Sequence, residues 1–413
     1  MYDILIIGGG AAGIMSAIGA KRRSSGLSVA ILERLDRVGK KILTTGNGRC
    51  NLTNADISID RYHGGNTRFA MSSLSSVDRD ATLDIFMSMG IIPKYEGDKV
   101  FPNSLQASSV VDVMRRELAS LGVSEICDAM CTSIKKQGDA YVITCDDGRR
   151  FNSRRVIVCT GGCAAPKLGT DGKGYELVKK FGHRVTELYP SLVQVKCEPS
   201  LVVPMKGVKL DANVTALVNG SAQRCEFGEL LFTDYGLSGP CVFQLSRIAS
   251  ENTAIGNKVE FVVDIMPDMT EDELYCHLCM RRRDIPVEDF LTGAVNKLVA
   301  RMLLKKCGVA KFNTTAEVIN DDMMRSLAKT MKGWVFPILG TNSWQQSQVT
   351  AGGVVTDDIN PKTMESAKTN GLYLAGEILD IDGDCGGFNL QWAWSSGYVA
   401  GECCAESLIN GDK

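Results

Sequence analysis

The chain has 413 residues, more than one hydrophobic core usually supports, so two or three domains are expected. A formal net charge of −2 gives no electrostatic reason for a nucleic-acid or anionic-membrane partner, and no apolar run of about 18 residues predicts a membrane span. Fifteen cysteines in a chain that opens directly on a strand favour a reduced cytoplasmic compartment with mostly free thiols.

The first predicted elements form a strand–turn–helix–strand unit. Residues 3–7 (DILII) predict a strand that is buried on both faces, and a stretch of small residues to about Lys21 predicts a helix. Residues 27–33 (LSVAILE) predict a second buried strand. The unit is a βαβ motif of about 30 residues.

The turn of this unit carries a dinucleotide fingerprint. Gly8, Gly10 and Gly13 satisfy G-x-G-x-x-G directly after a strand and at the start of a helix. The N-terminus of that helix offers unpaired N–H groups and a positive dipole end to a pyrophosphate. Glu33 ends the second strand, where its carboxylate can accept hydrogen bonds from ribose hydroxyls. Adenine-dinucleotide binding is therefore predicted.

A second glycine-rich segment, RVGKKILTTGNGRCNLTN at residues 37–54, follows that strand at once. A plain dehydrogenase would continue to its next helix here. Gly46 and Gly48 allow the main chain to lie against a flat ligand, and Arg49 or Lys40 can offset pyrophosphate charge. The alternative interpretation is a solvated basic loop.

The middle of the chain changes character twice. VVDVMRRELASLG predicts a helix, and RVIVCTGG predicts another buried strand after a β-meander. The sequence becomes β-rich near residue 190 and helical over residues 270–332, before α/β character returns. The predicted domains are a dinucleotide-binding domain at 1–190 and 347–413, a β-barrel-like domain at 191–267 and 333–346, and a helical insert at 268–332.

A third glycine-rich segment at residues 371–401 brings the C-terminus back to the first domain. A strand meets Glu377 and Asp380, then a Gly386–Gly387 turn, then a helix for which Asn389 is the predicted cap. A helix N-terminus aimed at the pyrimidine edge of a flavin stabilises negative charge on the reduced ring. Together with segment 37–54, this favours FAD over NAD as the tightly bound cofactor.

Several other signals are set aside. DIDGD at residues 380–384 lacks the Gly and Glu that a calcium loop needs, since Cys385 and Gln391 stand at those positions. The CxxC formed by Cys276 and Cys279 has no second ligand pair, so no metal is expected.

Single residues near these motifs are given structural interpretations. His63, His183 and His277 are interpreted as surface or packing residues, and Cys50 as a packing residue instead of a redox partner. Trp392 and Trp394 are interpreted as core residues, with a wall of the flavin site as the alternative.

The fingerprint, GKKILTTGNGRCNLTN, LLFTDYGLSGP and LDIDGDCGGFNLQWAWSSG together resemble the BaiN/RdsA-type family of FAD-dependent oxidoreductases, from end to end. The chain departs from the family pattern at Asp234, where histidine is more common, and at residues 385–388, where Thr-Gly-Gly-Tyr is usual. The resemblance implies an α/β fold: a Rossmann-like, glutathione-reductase-like FAD-binding domain with an inserted small β-barrel and a helical insertion.

The fingerprint and the resemblance together imply a set of FAD-binding residues. They are Gly8, Gly10, Ala11, Ala12, Gly13, Glu33, Arg34, Lys40, Lys41, Gly46, Gly48, Arg49, Cys50, Asn51, Thr160, Gly161, Gly162, Gly376, Glu377, Asp380, Gly386, Gly387, Phe388, Asn389 and Leu390.

The function expected from these observations is NAD(P)H-dependent reduction of a conjugated C=C bond, as in a bile-acid or steroid-like enone, by hydride transfer through flavin N5. Because the chain has no second dinucleotide fingerprint, NAD(P)H would bind transiently. Weak candidates for the proton donor are Asp234, Tyr235 and Arg49. The alternatives are a flavin amine oxidase that uses O₂ on an aminoacetone-like substrate and a non-catalytic flavin redox sensor. The expected partner is a small-molecule substrate, without nucleic acid or membrane.

Overall fold

The computed structural model describes residues 1–411, which divide into two compact units. The first unit contains Met1–Tyr189 and resumes at Gln348, and the second unit is Pro190–Ser347. The chain therefore leaves the first unit once and returns to it once.

A central sheet organises the first unit. Two of its parallel strands, Tyr2–Ile7 and Val29–Leu32, are largely buried apolar runs, as expected for strands covered on both faces. In spatial order the parallel strands are Ser124–Ile126, Val29–Leu32, Tyr2–Ile7, Arg150–Val158 and Leu372–Leu374. The first half of Arg150–Val158 also pairs antiparallel with Ala140–Cys145, and Cys131–Gln137 follows at the edge.

Two helices of the first unit pack main chain to main chain. Helix Ala11–Arg23 lies against helix Phe388–Gly411, and a Cβ built at Gly401 would stand 2.0 Å from the carbonyl oxygen of Ser16. That approach requires glycine and fixes the start of the chain to its last helix. The remaining α-helices of this unit are Thr67–Ser76, Arg79–Ser88, Ala107–Ser120 and Lys173–Lys179.

Short strands complete the first unit around these helices. They are Thr53–Asn54, Tyr62–His63, Pro93–Glu96, Lys99–Pro102, Val349–Ala351 and Asp382–Gly383. Tyr189–Ser191 begins in this unit and ends in the next.

The second unit is built on a closed six-stranded barrel. In strand Trp334–Thr341, Trp334, Phe336 and Ile338 are buried and alternate with exposed residues, so every second side chain fills the interior. The barrel order is Val195–Cys197, Gly236–Ser238, Ser221–Phe232, Lys209–Val218, Val259–Asp264 and Trp334–Thr341.

Helices of the second unit are Pro199–Val202, Pro240–Ala254, Glu271–Cys279, Lys297–Lys306 and Asp321–Lys332. The last three lie in the chain between two adjacent barrel strands. The predicted fold class, a Rossmann-like α/β unit with a small β-barrel and a helical insertion, is confirmed.

One predicted helix is shorter than expected. The sequence over residues 270–332 is predicted to be helical, but between residues 287 and 308 the structure has a single 3₁₀ turn at Val287–Asp289 and an α-helix at Lys297–Lys306. Gly293 between them has a φ of 84°, which ends any right-handed helix, and the Asn296 side chain caps the next one. Within residues 1–411, no helix is both long and apolar enough to cross a membrane.

Candidate active site at the carboxyl edge of the sheet

The carboxyl ends of four parallel strands meet at one edge of the central sheet. Ligands of open α/β sheets bind at this edge, where successive connections leave on opposite faces. The residues that follow these strands within two positions include Gly8, Glu33, Thr160 and Gly376.

The N-terminal glycine turn is shaped by main-chain contact. A Cβ built at Gly13 would lie 1.9 Å from the carbonyl oxygen of Gly8, and one at Gly8 would lie 2.4 Å from the carbonyl oxygen of Cys159. Real Cβ atoms do not approach so closely. A Cβ at Gly10, in contrast, would meet no atom of the described residues within 4 Å. The turn therefore closes at two glycines and leaves open space over the third, as a pyrophosphate requires.

The helix that follows this turn begins without a capping side chain. Gly10 occupies the cap position, no side chain accepts from the first N–H groups, and the first turn contains no acidic residue. An anionic ligand would compensate the positive end of this helix. Ala12 in the same turn lies close to the segment that follows strand Leu372–Leu374, because a Cβ built at Gly376 would stand 2.7 Å from the Cβ of Ala12.

Glu33 is fixed at the end of the second strand. Its Oε2 accepts a hydrogen bond from the Gly9 N–H at 2.8 Å, and its Oε1 accepts one from the Leu35 N–H at 2.8 Å. Burial raises the pKa of this carboxyl, while the N–H groups of Leu35 and Gly9 oppose the shift. A carboxylate oxygen has more than one acceptor site, so Glu33 can still accept from a ribose hydroxyl.

The predicted basic residues are engaged in ion pairs. Arg34 pairs with Asp171 at 2.7 Å, and Lys40 pairs with Asp36. Arg49 pairs with Glu96 at 2.8 Å, and its guanidinium lies 4.3 Å from the centre of the Phe101 ring. Lys41 pairs with Glu377 at 2.7 Å, which joins the second glycine-rich segment to the third.

Two of the predicted FAD-binding residues have a buried polar atom without a hydrogen-bond partner among residues 1–411. These atoms are Oδ1 of Asn51 and Oγ1 of Thr160. A Cβ built at Gly387 would lie 3.0 Å from Oδ1 of Asn51, so this orphaned atom faces the start of the last helix. Buried polar groups are nearly always satisfied, and a bound dinucleotide supplies partners of both kinds. The orphaned atoms and the open space over Gly10 fit FAD.

The rest of segment 37–54 combines an exposed glycine turn with a buried cysteine. Gly46 and Gly48 both have positive φ angles within the turn Ile42–Gly48. The Cys50 side chain is fully buried, and burial raises the pKa of its thiol to about 12. A thiol of that pKa is almost entirely protonated near neutral pH, which supports the packing interpretation of Cys50.

In the third segment the predicted carboxylates hold neighbouring loops. Oε1 of Glu377 accepts from the Thr350 N–H at 3.0 Å, and Oδ2 of Asp380 accepts from the Gly65 N–H at 3.0 Å. Both side chains therefore hold main-chain groups of neighbouring loops in place. Of the other predicted residues, Gly161 has a positive φ, and a Cβ built at Gly162 would stand 2.3 Å from Oγ1 of Thr350.

Asn389 does not cap the last helix, contrary to the sequence prediction. The helix begins at Phe388, so Asn389 lies within its first turn. Its side chain instead closes the preceding turn: Oδ1 accepts from the Gly383 N–H at 2.8 Å, and Nδ2 donates to the Gly383 carbonyl at 2.7 Å and the Asp384 carbonyl at 3.3 Å. The Asn389 amide both accepts from a main-chain N–H and donates to main-chain carbonyls of this turn. A helix N-cap, in contrast, only has to accept from an N–H.

The two tryptophans of this helix are core residues. Trp392 and Trp394 are 1% and 0% exposed, and their indole N–H groups donate to the carbonyls of Gly376 at 3.2 Å and Leu52 at 3.0 Å. Both indoles therefore bind main-chain carbonyls of the second and third glycine-rich segments. Leu390 is partly buried against the same core, and the Phe388 ring is buried against Tyr62.

The candidate proton donors of the second unit have different environments. Asp234 is exposed and pairs with Lys206 at 2.7 Å, and that partner lowers the pKa of the Asp234 carboxyl. It is therefore ionised near neutral pH and has no proton to give. Tyr235 follows it in the same turn and is partly buried.

Two residues in the first unit were not predicted as site residues and are placed together by the fold. Nε2 of His63 lies 2.8 Å from Oδ1 of Asp384, which is buried in the turn before the last helix. No group of three or more metal-ligating side chains occurs among residues 1–411, and Cys276 and Cys279 lie exposed on one short helix.

Comparison with known proteins agrees with this geometry. The family model for the HI0933-like protein Rossmann domain matches residues 2–403. The chain is 38% identical over 409 residues to the 3-dehydro-bile acid delta(4,6)-reductase of Clostridium scindens, covering 98% of this chain and 100% of that protein. It is 30% identical over 416 residues to the ribosomal RNA dihydrouridine synthase of Escherichia coli, covering 99% and 98%.

Among solved structures, 3-ketosteroid delta1-dehydrogenase from Sterolibacterium denitrificans is similar in fold, with a TM-score of 0.52 and 13% identity over 98% of this chain and 99% of that one. The predicted cofactor class and enzyme class are confirmed: the protein is an FAD-dependent oxidoreductase. The resemblance drawn from the sequence is confirmed as well, and the chain belongs to the HI0933-like Rossmann family.

Proposed function

We propose that this protein reduces a C=C bond conjugated with a carbonyl group, in a bile-acid or steroid-like enone, with NAD(P)H as the transient electron donor. The observation that carries the proposal is the 38% identity, along the full length of both chains, to a 3-dehydro-bile acid delta(4,6)-reductase. In such a substrate the C=C bonds extend from the 3-carbonyl group. Uridine, the substrate named for the ribosomal RNA relatives, also has a C=C bond conjugated with a carbonyl.

The chain's own residues would hold FAD at three places. The turn Gly8–Gly13 and the helix that follows it would bind the pyrophosphate, and Glu33 would accept from the ribose. The start of helix Phe388–Gly411, with the orphaned Oδ1 of Asn51 beside it, would face the pyrimidine edge of the flavin. Bound FAD supplies the transfer of a hydride between donor and substrate.

A small-molecule substrate and a cytoplasmic location are parts of the same proposal. A formal net charge of −2 supports the view that no nucleic acid is bound. The second candidate is reduction of a uridine in ribosomal RNA, which the 30% identity to the Escherichia coli enzyme favours. No specific observation favours an amine oxidase or a redox sensor.

Anaerobic half-reactions test the proposal. The FAD-loaded protein is mixed with NADH or NADPH, and bleaching of the flavin is followed by its visible absorbance. Chemically reduced protein is then mixed with a 3-oxo-Δ4 steroid acid, its saturated analogue, a uridine-containing ribosomal RNA fragment and an amine. Reoxidation by the enone with formation of the saturated product is the expected result. Reoxidation by the RNA alone would favour the second candidate, and failure with every acceptor would contradict both.

A further inference from the structure

His63 and Asp384 form a hydrogen-bonded pair in which one member is buried and the other is accessible. The Asp384 side chain is 1% exposed and that of His63 is 27% exposed. A carboxylate can only accept, so Nε2 of His63 carries the shared hydrogen. The other ring nitrogen, Nδ1, has no hydrogen-bond partner within residues 1–411. A second proton on this imidazole therefore sits on Nδ1.

The pair is fixed to the turn before the last helix. Strand Tyr62–His63 pairs antiparallel with Asp382–Gly383, and the Asp384 N–H donates to the Arg61 carbonyl at 2.9 Å. The Tyr62 hydroxyl donates to the Phe388 carbonyl at 3.3 Å, and the two rings meet edge to face. His63 thus lies against the segment that the sequence assigns to the flavin, with its ring orientation set by a carboxylate.

The other histidines of the chain have no such partner. Nε2 of His183 lies 2.9 Å from the Ser366 hydroxyl in the core, where burial lowers the pKa of the imidazole. His277 is exposed on helix Glu271–Cys279. Among residues 1–411, the pairing of a histidine with a buried carboxylate therefore occurs at His63 alone.

Two other acids near the glycine-rich segments are poor proton donors near neutral pH. Burial raises the pKa of the Cys50 thiol to about 12 and raises the pKa of the Tyr175 hydroxyl well above its ordinary range. Glu377 is paired with Lys41 at 2.7 Å. Histidine is the side chain that most often acts as a general acid, and here the Asp384 carboxylate, which also pairs with Arg61 at 3.6 Å, orients the His63 ring.

From this geometry we infer that His63 is the proton donor of the reduction and that Asp384 is its positioning residue, an inference that rests on the proposed function. The step adds two hydrogens across one C=C bond. The β carbon receives a hydride, one hydrogen with two electrons that originate from NAD(P)H. The α carbon receives the proton from Nδ1 of His63. The π bond is lost, two C–H bonds form, and neutral His63 regains a proton from water.

The test separates proton donation from electron transfer. FAD-loaded wild-type and His63→Gln proteins are reduced with one equivalent of dithionite and mixed anaerobically with the enone or with ferricyanide, which accepts electrons without a proton on carbon. His63→Gln is expected to be reoxidised by the enone at least about 100-fold more slowly, the usual contribution of a general acid. Its reoxidation by ferricyanide is expected to match wild type. His277→Gln, at an exposed histidine, is the matched control and should match wild type with both acceptors.

Chemical rescue and the partner variant complete the test. Added imidazole should restore part of the enone reaction in His63→Ala, because a small donor can enter the space left by the side chain. Asp384→Asn should slow the enone reaction and leave the ferricyanide reaction unchanged. Unaltered enone reoxidation in His63→Gln overturns the inference and leaves the proposed function in place. Wild-type protein that no enone reoxidises overturns both. Equal slowing of both acceptors in His63→Gln also overturns the inference, since it indicates a disturbed flavin site.

Discussion

The N-terminal turn Gly8–Gly13 and the C-terminal turn at residues 383–387 both lead into a helix, but they are held in different ways. The N-terminal turn is held by main-chain contact, as the 1.9 Å and 2.4 Å approaches at Gly13 and Gly8 demonstrate. The C-terminal turn is held by side chains: Asn389 bonds to Gly383, and Asp380 receives a hydrogen bond from Gly65. The first turn closes on its own main chain at Gly13 and on that of Cys159 at Gly8, whereas side-chain hydrogen bonds, within the turn and from Gly65, close the second.

Because of this difference, the largest loss of stability is expected on substitution of Gly13. In Gly13→Ala the new methyl group meets a carbonyl oxygen that cannot move without displacing the turn, so we expect a loss of about 3 kcal/mol in unfolding free energy. Gly10→Ala has open space, so its stability without FAD should equal that of wild type. Its FAD affinity should fall at least about tenfold, or about 1.4 kcal/mol, because the methyl group fills the pyrophosphate position.

Urea unfolding of the FAD-free proteins and titration with FAD measure the two quantities. Gly13→Ala protein as stable as wild type would contradict the main-chain description of this turn. Gly10→Ala protein with unchanged FAD affinity would contradict the placement of the pyrophosphate.

A smaller loss is expected at Gln391, which lies behind the C-terminal turn. Its Oε1 accepts from the Thr53 hydroxyl at 2.6 Å, and its Nε2 donates to Thr82, Ser395 and the Val77 carbonyl. Gln391→Leu leaves buried polar groups without partners, so the unfolding free energy should fall by about 1–3 kcal/mol. Gln345→Leu, at an exposed glutamine, should stay within about 0.5 kcal/mol of wild type in the same urea titration.

Asn389→Ala should affect the cofactor more than the fold. The substitution removes three hydrogen bonds to Gly383 and Asp384, so we expect a loss of at least about 1 kcal/mol in stability. The loosened turn should release FAD faster, as measured by the rise in flavin fluorescence after dilution. Asn313→Ala, at an exposed asparagine of the second unit, is the control. FAD release at the wild-type rate would show that side chains do not hold this turn in place.

The same contrast explains what the sequence predicts and what it does not. The βαβ unit and its glycine fingerprint depend on residues within about 30 positions, so apolar patterning and spacing were sufficient to predict them. His63 and Asp384 are 321 residues apart and meet only because Tyr62–His63 pairs with Asp382–Gly383. Neither residue has a local pattern that indicates its partner. The role of Asn389 was missed for the same reason, since its hydrogen bonds are to an irregular turn whose shape no propensity predicts.

The smallest effect is expected at Glu33, whose side chain accepts a hydrogen bond from the Gly9 N–H of the N-terminal turn. Glu33→Gln keeps one acceptor oxygen, so its FAD affinity should fall by about 1 kcal/mol, or about fivefold, because a charged hydrogen bond to the ribose becomes neutral.

Burial raises the pKa of Glu33 above its ordinary 4.5, so the folded state favours the protonated form. This contribution to stability is present below pH 4.5 and is lost as pH rises through the raised pKa. Relative to Glu33→Gln, wild-type protein should therefore lose stability between acidic and neutral pH in urea titrations. A Glu33→Gln protein that releases FAD as fast as Asn389→Ala would mean that both turns depend on side chains.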